Sequence, residues 1–215
     1  VFPLAGAKLL APCVPKQSIC VGFYYRDHAR EFHVDVPKEP ALFTKAAHTV
    51  IGNDGKIIYP RQSHEVVYEA ELGVVIKKRM KDVAPEDVPD YLLGYTCADD
   101  VTARDMQLSD VQRLRSKSFD TFCPLGPWLE TDLDPTDLSI KLYLNGQLKQ
   151  NGRTSDMVFN PYEILSYISQ SMTLDAGDLI LTGTPMGCGP MLPGDEVVVE
   201  IEGIGKLRNE VVKGY

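Results

Sequence analysis

From Glu65 to Ile76 the chain alternates without interruption, and Val66, Tyr68, Ala70, Leu72, Val74 and Ile76 fall on one side of an extended strand. A period of two residues is the mark of β structure, and an apolar side this continuous requires a core to cover it. Whatever else the chain does, it must build a sheet around this strand. The opposite side reads Glu65, Val67, Glu69, Glu71, Gly73 and Val75. Glu69 and Glu71 share that face, with Cβ atoms about 6.6–6.8 Å apart at the usual rise of a strand. Flanked by valines and a glycine, they do not read as a solvated acidic edge. Two carboxylates so placed repel each other and lose hydration, so they need a cation or a shared proton. Hard oxygen donors in a partly dry pocket suit Mg²⁺ or Mn²⁺. Glycine at 73 lets another group approach closely. The competing reading is a surface pair of glutamates partnered by Lys77 or Lys78.

The rest of the chain extends the β character. Short apolar strands are predicted at Ser18–Phe23, Ala41–Lys45, Tyr91–Ala98, Ser139–Leu144, Leu179–Leu181, Glu196–Ile201 and Lys206–Val212. Asn53-Asp54-Gly55 and Asn145-Gly146 are hairpin signals. Ala84-Pro85-Glu86-Asp87 opens a helical turn, and a helix follows Asp99–Asp105. Pro161–Met172 has helical spacing, with proline at its start where proline is tolerated. Many strands and few helices predict an α+β domain that is mostly β. No composition break divides it, so residues 1–215 read as one domain.

Composition narrows the classes of function. With 22 Lys+Arg against 30 Asp+Glu, the net charge is −8. That argues against a protein that tracks nucleic-acid phosphates or docks on an anionic membrane. No apolar run approaches the roughly 20 residues of a membrane-spanning helix. Cys13, Cys20, Cys97, Cys123 and Cys188 are odd in number and lack C-x-x-C spacing, which predicts free thiols and a reducing, cytoplasmic setting. The opening Val1-Phe2-Pro3-Leu4, without Met and without signal-peptide features, reads as a chain whose first residues have been removed.

A second acidic cluster, Asp99-Asp100, sits at the end of a predicted strand with Arg104 and Asp105 just beyond. It can supply a further metal ligand, or an N-cap for the helix that follows. His28 and Glu31 form H-x-x-E, a spacing that places both on one helical face; the plain alternative is an incidental pair in a solvated loop. His33, His48 and His64 lack an acidic partner at useful spacing. Gly187-Cys188-Gly189 lacks the spacing of a dinucleotide-binding fingerprint.

Four stretches, taken in order, closely resemble the fumarylacetoacetate hydrolase family. They are Tyr68-Glu69-Ala70-Glu71-Leu72-Gly73-Val74-Val75; Gly94-Tyr95 with Asp100-Val101-Thr102-Ala103-Arg104-Asp105-Met106-Gln107; Lys117-Ser118-Phe119-Asp120-Thr121-Phe122; and Leu181-Thr182-Gly183-Thr184-Pro185. The resemblance runs from about residue 8 to the end and implies the family's mixed β-sandwich roll. It implies a Mg²⁺ or Mn²⁺ site at Glu69, Glu71 and Asp100, with Lys117 as the active-site lysine. By the same resemblance His28 and Glu31 activate water, Gln107 holds the substrate or its developing oxyanion, and Thr184 binds the substrate carboxylate. The implied activity is hydrolysis of a C–C bond in a small β-dicarbonyl 2-oxo acid of the acylpyruvate or fumarylpyruvate type. The alternative within the family is an isomerase or decarboxylase (a lyase) acting on 2-hydroxy-dienedioate or oxaloacetate-like acids in aromatic catabolism. A homodimer is implied as well. A non-catalytic binding module would be expected to have lost part of the triad, which here is intact. Two departures bear on the substrate: Phe23-Tyr24-Tyr25 replaces an Arg-Asn-Tyr-like stretch, and Gln107–Lys117 is short and lacks a tryptophan.

Overall fold

Both faces of the run are buried from Val66 to Ile76, and that decides how the sheets are layered. The computed structural model describes residues 7–22, 25–31 and 38–214, without the side chains of residues 28–30. The central sheet has seven strands in the order β2 (Ala41–Lys45), β1 (Ser18–Gly22), β12 (Leu179–Leu181), β6 (Ala70–Ile76), β7 (Leu92–Asp99), β9 (Cys123–Glu130) and β3 (Val50–Ile51). It is mixed: β1 runs parallel to β12 and β3 to β9, whereas β6 is antiparallel to both of its neighbours. A second sheet runs β11 (Gln147–Arg153), β10 (Ser139–Leu144), β14 (Glu196–Ile201), β15 (Gly205–Lys213) and β4 (Lys56–Tyr59). A small third sheet joins β13 (Gly189–Pro190), β5 (Val66–Tyr68) and β8 (Thr102–Ala103). The helices α1 (Arg26–Glu31), α2 (Arg104–Ser109), α3 (Leu114–Lys117) and α4 (Pro161–Ser171) are short. The expected α+β, mostly β class with mixed sheets is the one observed.

Leu72, Val74 and Ile76 point into the main core with Ile140 and Leu142 of β10 and Val197 and Val199 of β14. Val75 points the other way, into a smaller cluster with Cys20, Ala98, Leu125, Leu179 and Leu181. A strand covered on both sides needs a near-continuous apolar run, which Leu-Gly-Val-Val-Ile supplies. The predicted ends of the surface elements hold too. Asn145 and Gly146, at φ 51° and 76°, make the turn between β10 and β11. Asn160 caps α4, accepting from the Tyr162 and Glu163 amides, while Glu163 accepts from the Asn160 amide at 2.8 Å.

Two expectations need correction. The Glu65–Ile76 run is not one strand but two, β5 and β6, broken at Glu69. Side-chain alternation survives the break, yet the strand changes partners there, from the three-stranded to the seven-stranded sheet. Asn53-Asp54-Gly55 does turn, with the Gly55 amide donating to the Gly52 carbonyl at 3.1 Å. It does not close a hairpin, because β3 pairs with β9 and β4 with β15 in different sheets. Local turn chemistry is satisfied while long-range pairing selects other neighbours.

No described helix is long and apolar enough to cross a membrane. All five cysteines are free thiols. Burial pushes Cys97 and Cys123 from 9.0 up to about 12. Their thiols bind protons more tightly folded than unfolded, so between about 9 and about 12 the unfolded chain releases protons that the fold retains. Stability is therefore expected to fall as pH rises through that window. Chemical denaturation at pH 8 and 10 checks this; Cys97→Ala/Cys123→Ala should flatten the slope, and an unchanged slope would refute the assignment.

Candidate functional site

The break at Glu69 shapes the site. There the backbone amides leave the β ladder and find side chains: Glu69 N–H donates to Asp99 Oδ1 at 2.8 Å, and Ala70 N–H to Gln150 Oε1 at 2.9 Å. The Asp100 amide in turn donates to the Glu69 carbonyl at 2.9 Å, which ties the end of β7 to the break. As a result Glu69, Glu71 and Asp100 converge, each offering one carboxylate oxygen within 4.8 Å of the others. They are 5%, 1% and 0% exposed, which excludes the reading of a surface pair with Lys77 or Lys78. Helix capping by Asp100 is excluded as well, since Ala103 occupies the N-cap of α2.

Three cations enclose these acids. Lys117 Nζ, at the end of α3, donates to Glu69 Oε2 at 2.7 Å and to Asp100 Oδ2 at 2.6 Å. Lys45 Nζ, at the end of β2, takes the other Asp100 oxygen at 2.6 Å and the Val101 carbonyl at 3.0 Å. Arg104 Nη2 donates to Glu69 Oε1 at 2.7 Å. Burial would pull Lys117 down, but Asp100 and Glu69 outweigh it and hold the ammonium above its ordinary value. Glu71 is the least compensated of the acids. Its Oε2 accepts from the Gly183 amide at 2.8 Å, while burial and the neighbouring Asp100 push its carboxyl well above the carboxylate range. A buried carboxylate in that state gains from a divalent ion, and a cluster of carboxylate oxygens is the donor set that Mg²⁺ or Mn²⁺ prefers. The residues fit the ion.

The same cavity is lined by Gln107 and Thr184, together with Phe43 and Arg113. Gln107 accepts a hydrogen bond from Arg104 through its side-chain oxygen, which leaves its NH₂ as the donor end. Thr184 follows β12, and its hydroxyl accepts from Gln150 Nε2 at 2.8 Å. The Lys117 ammonium also stands 4.9 Å from the centre of the Phe43 ring. Glu31 lies on α1, where its carboxylate accepts from the Gly187 amide at 3.2 Å, on the loop that carries Thr184. His28 belongs to the same helix, but its side chain lies outside the described residues, as do Phe23, Tyr24 and His33. Tyr25 is described and fully buried.

Three polar residues at the site escaped sequence reasoning. Lys45 reads as the polar end of an edge strand, and its partner Asp100 is distant in sequence. Arg104 sits inside a recognisable motif without an evident role. Gln150 lies in the polar run Gln147-Leu148-Lys149-Gln150-Asn151, which looks like a solvated hairpin arm.

Comparison with known proteins bears on the family and the fold. The model of the fumarylacetoacetate (FAA) hydrolase C-terminal domain matches residues 17–212. An uncharacterized protein of Archaeoglobus fulgidus is 50% identical over 98% of the chain and 84% of its own length. A mitochondrial oxaloacetate tautomerase of Bos taurus is 45% identical over 99% of the chain and 72% of its own length. Among solved structures, 2-hydroxyhepta-2,4-diene-1,7-dioate isomerase from Mycobacterium marinum superposes with a TM-score of 0.92 at 45% identity, covering 99% of this chain and 80% of that one. The 5-carboxymethyl-2-hydroxymuconate delta-isomerase of Mycobacterium smegmatis gives 0.94 at 43% identity, covering 100% and 85%. In motif order, in fold and across nearly its whole length, the chain belongs to the fumarylacetoacetate hydrolase family.

Proposed function

We propose that this chain is a divalent-metal-dependent enzyme that binds the 2-oxo-carboxylate end of a small organic acid and moves a proton on the enolate, as a keto–enol or double-bond isomerase. The observation that carries this reading is the buried Glu69–Glu71–Asp100 cluster bridged by Lys117. Those three residues would hold Mg²⁺ or Mn²⁺, which when bound supplies Lewis-acid polarisation of the 2-oxo and carboxylate oxygens. Lys117 keeps its proton because two carboxylates face it, so it contributes a fixed positive charge where the enolate oxygen becomes negative. Thr184 and the NH₂ end of Gln107 donate to the substrate carboxylate, and Arg113 adds a cation to the cavity wall. His28 and Glu31 are assigned the proton transfer at carbon, with the Glu31 carboxylate held by the Gly187 amide. The isomerases and the tautomerase among the relatives support this order of preference.

C–C hydrolysis of an acylpyruvate or fumarylpyruvate is the second reading. It is favoured by Glu31, whose anchored carboxylate would orient His28 toward a water instead of a carbon acid. We further assign the protein to a homodimer in a reducing, cytoplasmic compartment, supported by exposed Leu108, Val111 and Leu114 beside α2 and α3 and by five unpaired thiols. One experiment separates the two reactions. With Mg²⁺ or Mn²⁺ in turn, the enzyme is given oxaloacetate, an acylpyruvate and a 2-hydroxy-dienedioate. Loss of the enol absorbance without net cleavage is the expected result. Release of pyruvate from the acylpyruvate would favour hydrolysis, and turnover that survives chelation would overturn both.

A further inference from the structure

We propose that Gln150 is a positioning residue whose side-chain amide makes the Thr184 hydroxyl a hydrogen-bond donor into the site cavity. Gln150 is fully buried and comes from β11, in a different sheet from the acidic triad. Its orientation is dictated by partners that each have a single role. The Ala70 amide can only donate, and Oε1 lies 2.9 Å from it. The Pro185 carbonyl can only accept, and Nε2 lies 2.7 Å from it. Oxygen and nitrogen are thereby distinguished by the network alone. The remaining N–H of the amide meets Thr184 Oγ1 at 2.8 Å, so that oxygen must accept.

A hydroxyl has one hydrogen to give, and here a lone pair is already taken by the amide. Among the described residues no protein acceptor takes the Thr184 hydroxyl hydrogen. Thr184 lines the cavity with Glu71, Lys117 and Gln107, so an anionic oxygen seated there is the partner left for it. Close packing keeps the arrangement fixed. A Cβ on Gly152 would stand 2.6 Å from Pro185 Cβ, and one on Gly187 would stand 2.5 Å from the Lys149 carbonyl oxygen. Glycine at both positions lets β11 lie directly against the turn that carries Thr184. Gln150 thus joins the break in the ligand-bearing strand to the substrate-facing hydroxyl, through one rigid amide.

The inference rests on the reading of this cavity as the seat of a 2-oxo acid, and its test uses oxalate, a 1,2-dioxo dianion, as the probe. Binding is measured by calorimetry at saturating Mg²⁺ for the wild type, Gln150→Leu, Gln150→Met, Thr184→Val and Gln150→Leu/Thr184→Val. Each single substitution is expected to weaken oxalate about tenfold, as loss of an oriented bond to a charged group does. In the Thr184→Val background Gln150→Leu should cost less than about twofold, because no hydroxyl is left to orient. Thr184→Ser, which keeps the hydroxyl, should bind like the wild type. Two variants at 150 guard against a folding failure of one, and cooperative melting identifies the sound one. Wild-type affinity in a folded Gln150 variant, or additive losses in the double variant, would overturn the proposal. Coupled losses without turnover of any acid would refute the proposed reaction and leave this role standing. Independent losses with metal-dependent turnover intact would refute this role alone, and a wild type that binds no oxalate would refute both.

Discussion

Glu71→Gln is expected to lower kcat/KM by more than about 100-fold, beyond what loss of a supporting partner of a metal ligand costs, while leaving the metal-free protein as stable as the wild type or more so. The two halves of that expectation have one cause. Glu71 is buried, accepts from the Gly183 amide, and faces Asp100 and Glu69. Its raised pKa means that the fold disfavours its charge. Glutamine keeps an oxygen for the Gly183 amide and turns an NH₂ toward the neighbouring carboxylates, replacing repulsion by a donor. A gain of up to about 2 kcal/mol is reasonable for such an exchange. The same neutral amide is a poor ligand for a hard divalent ion, so affinity and activity fall together. Melting with and without Mg²⁺, beside steady-state kinetics, checks both halves. A Glu71→Gln protein that unfolds more easily without metal would mean that Glu71 serves the fold, and one that keeps wild-type activity would remove Glu71 from the triad.

How far this site could be read from the sequence depends on which contacts are local. Glu69 and Glu71 were legible because a period of two places both on one face, and because Val67, Gly73 and Val75 mark that face as covered. The strand break between them was not, since residues on either side of Glu69 alternate in the same phase and only the change of hydrogen-bond partner reveals it. Asp100 was legible as an acid at a strand end, and it was separated from Asp99 only by the family resemblance. The structure gives the physical difference: Asp100 faces Lys45 and Lys117, whereas Asp99 accepts the Glu69 amide. Lys45 and Gln150 were invisible because their significance lies in partners 55 and 34 residues away. A lysine ending an edge strand and a glutamine in a polar hairpin arm look solvated until another segment covers them. Asn53-Asp54-Gly55 shows the reverse, a turn read correctly whose flanking strands pair elsewhere.

Lys117→Met should act on stability in the opposite sense to Glu71→Gln, while lowering activity as that substitution does. The Lys117 ammonium is buried and bridges Glu69 and Asp100 at 2.7 and 2.6 Å, so its removal leaves carboxylates facing each other without that counter-charge. Breaking a buried pair by deleting one member costs about 3–5 kcal/mol, and Lys45 and Arg104, which still reach Asp100 and Glu69, place the expected loss at the lower end. A divalent ion added to this variant replaces missing positive charge. Its stabilisation by saturating Mg²⁺ should therefore exceed that of the wild type, for which ligand at 100 times Kd contributes about 2.7 kcal/mol. Activity should not return with the metal if Lys117 has the proposed role of meeting the developing oxyanion with a fixed charge; a loss of at least about 100-fold is then expected, as for other single electrostatic groups. Recovery of stability without recovery of rate is the signature to look for in parallel melting and kinetic assays. If Mg²⁺ restores both, Lys117 only balances the carboxylates; if the metal-free variant melts like the wild type, the bridge contributes nothing to the fold.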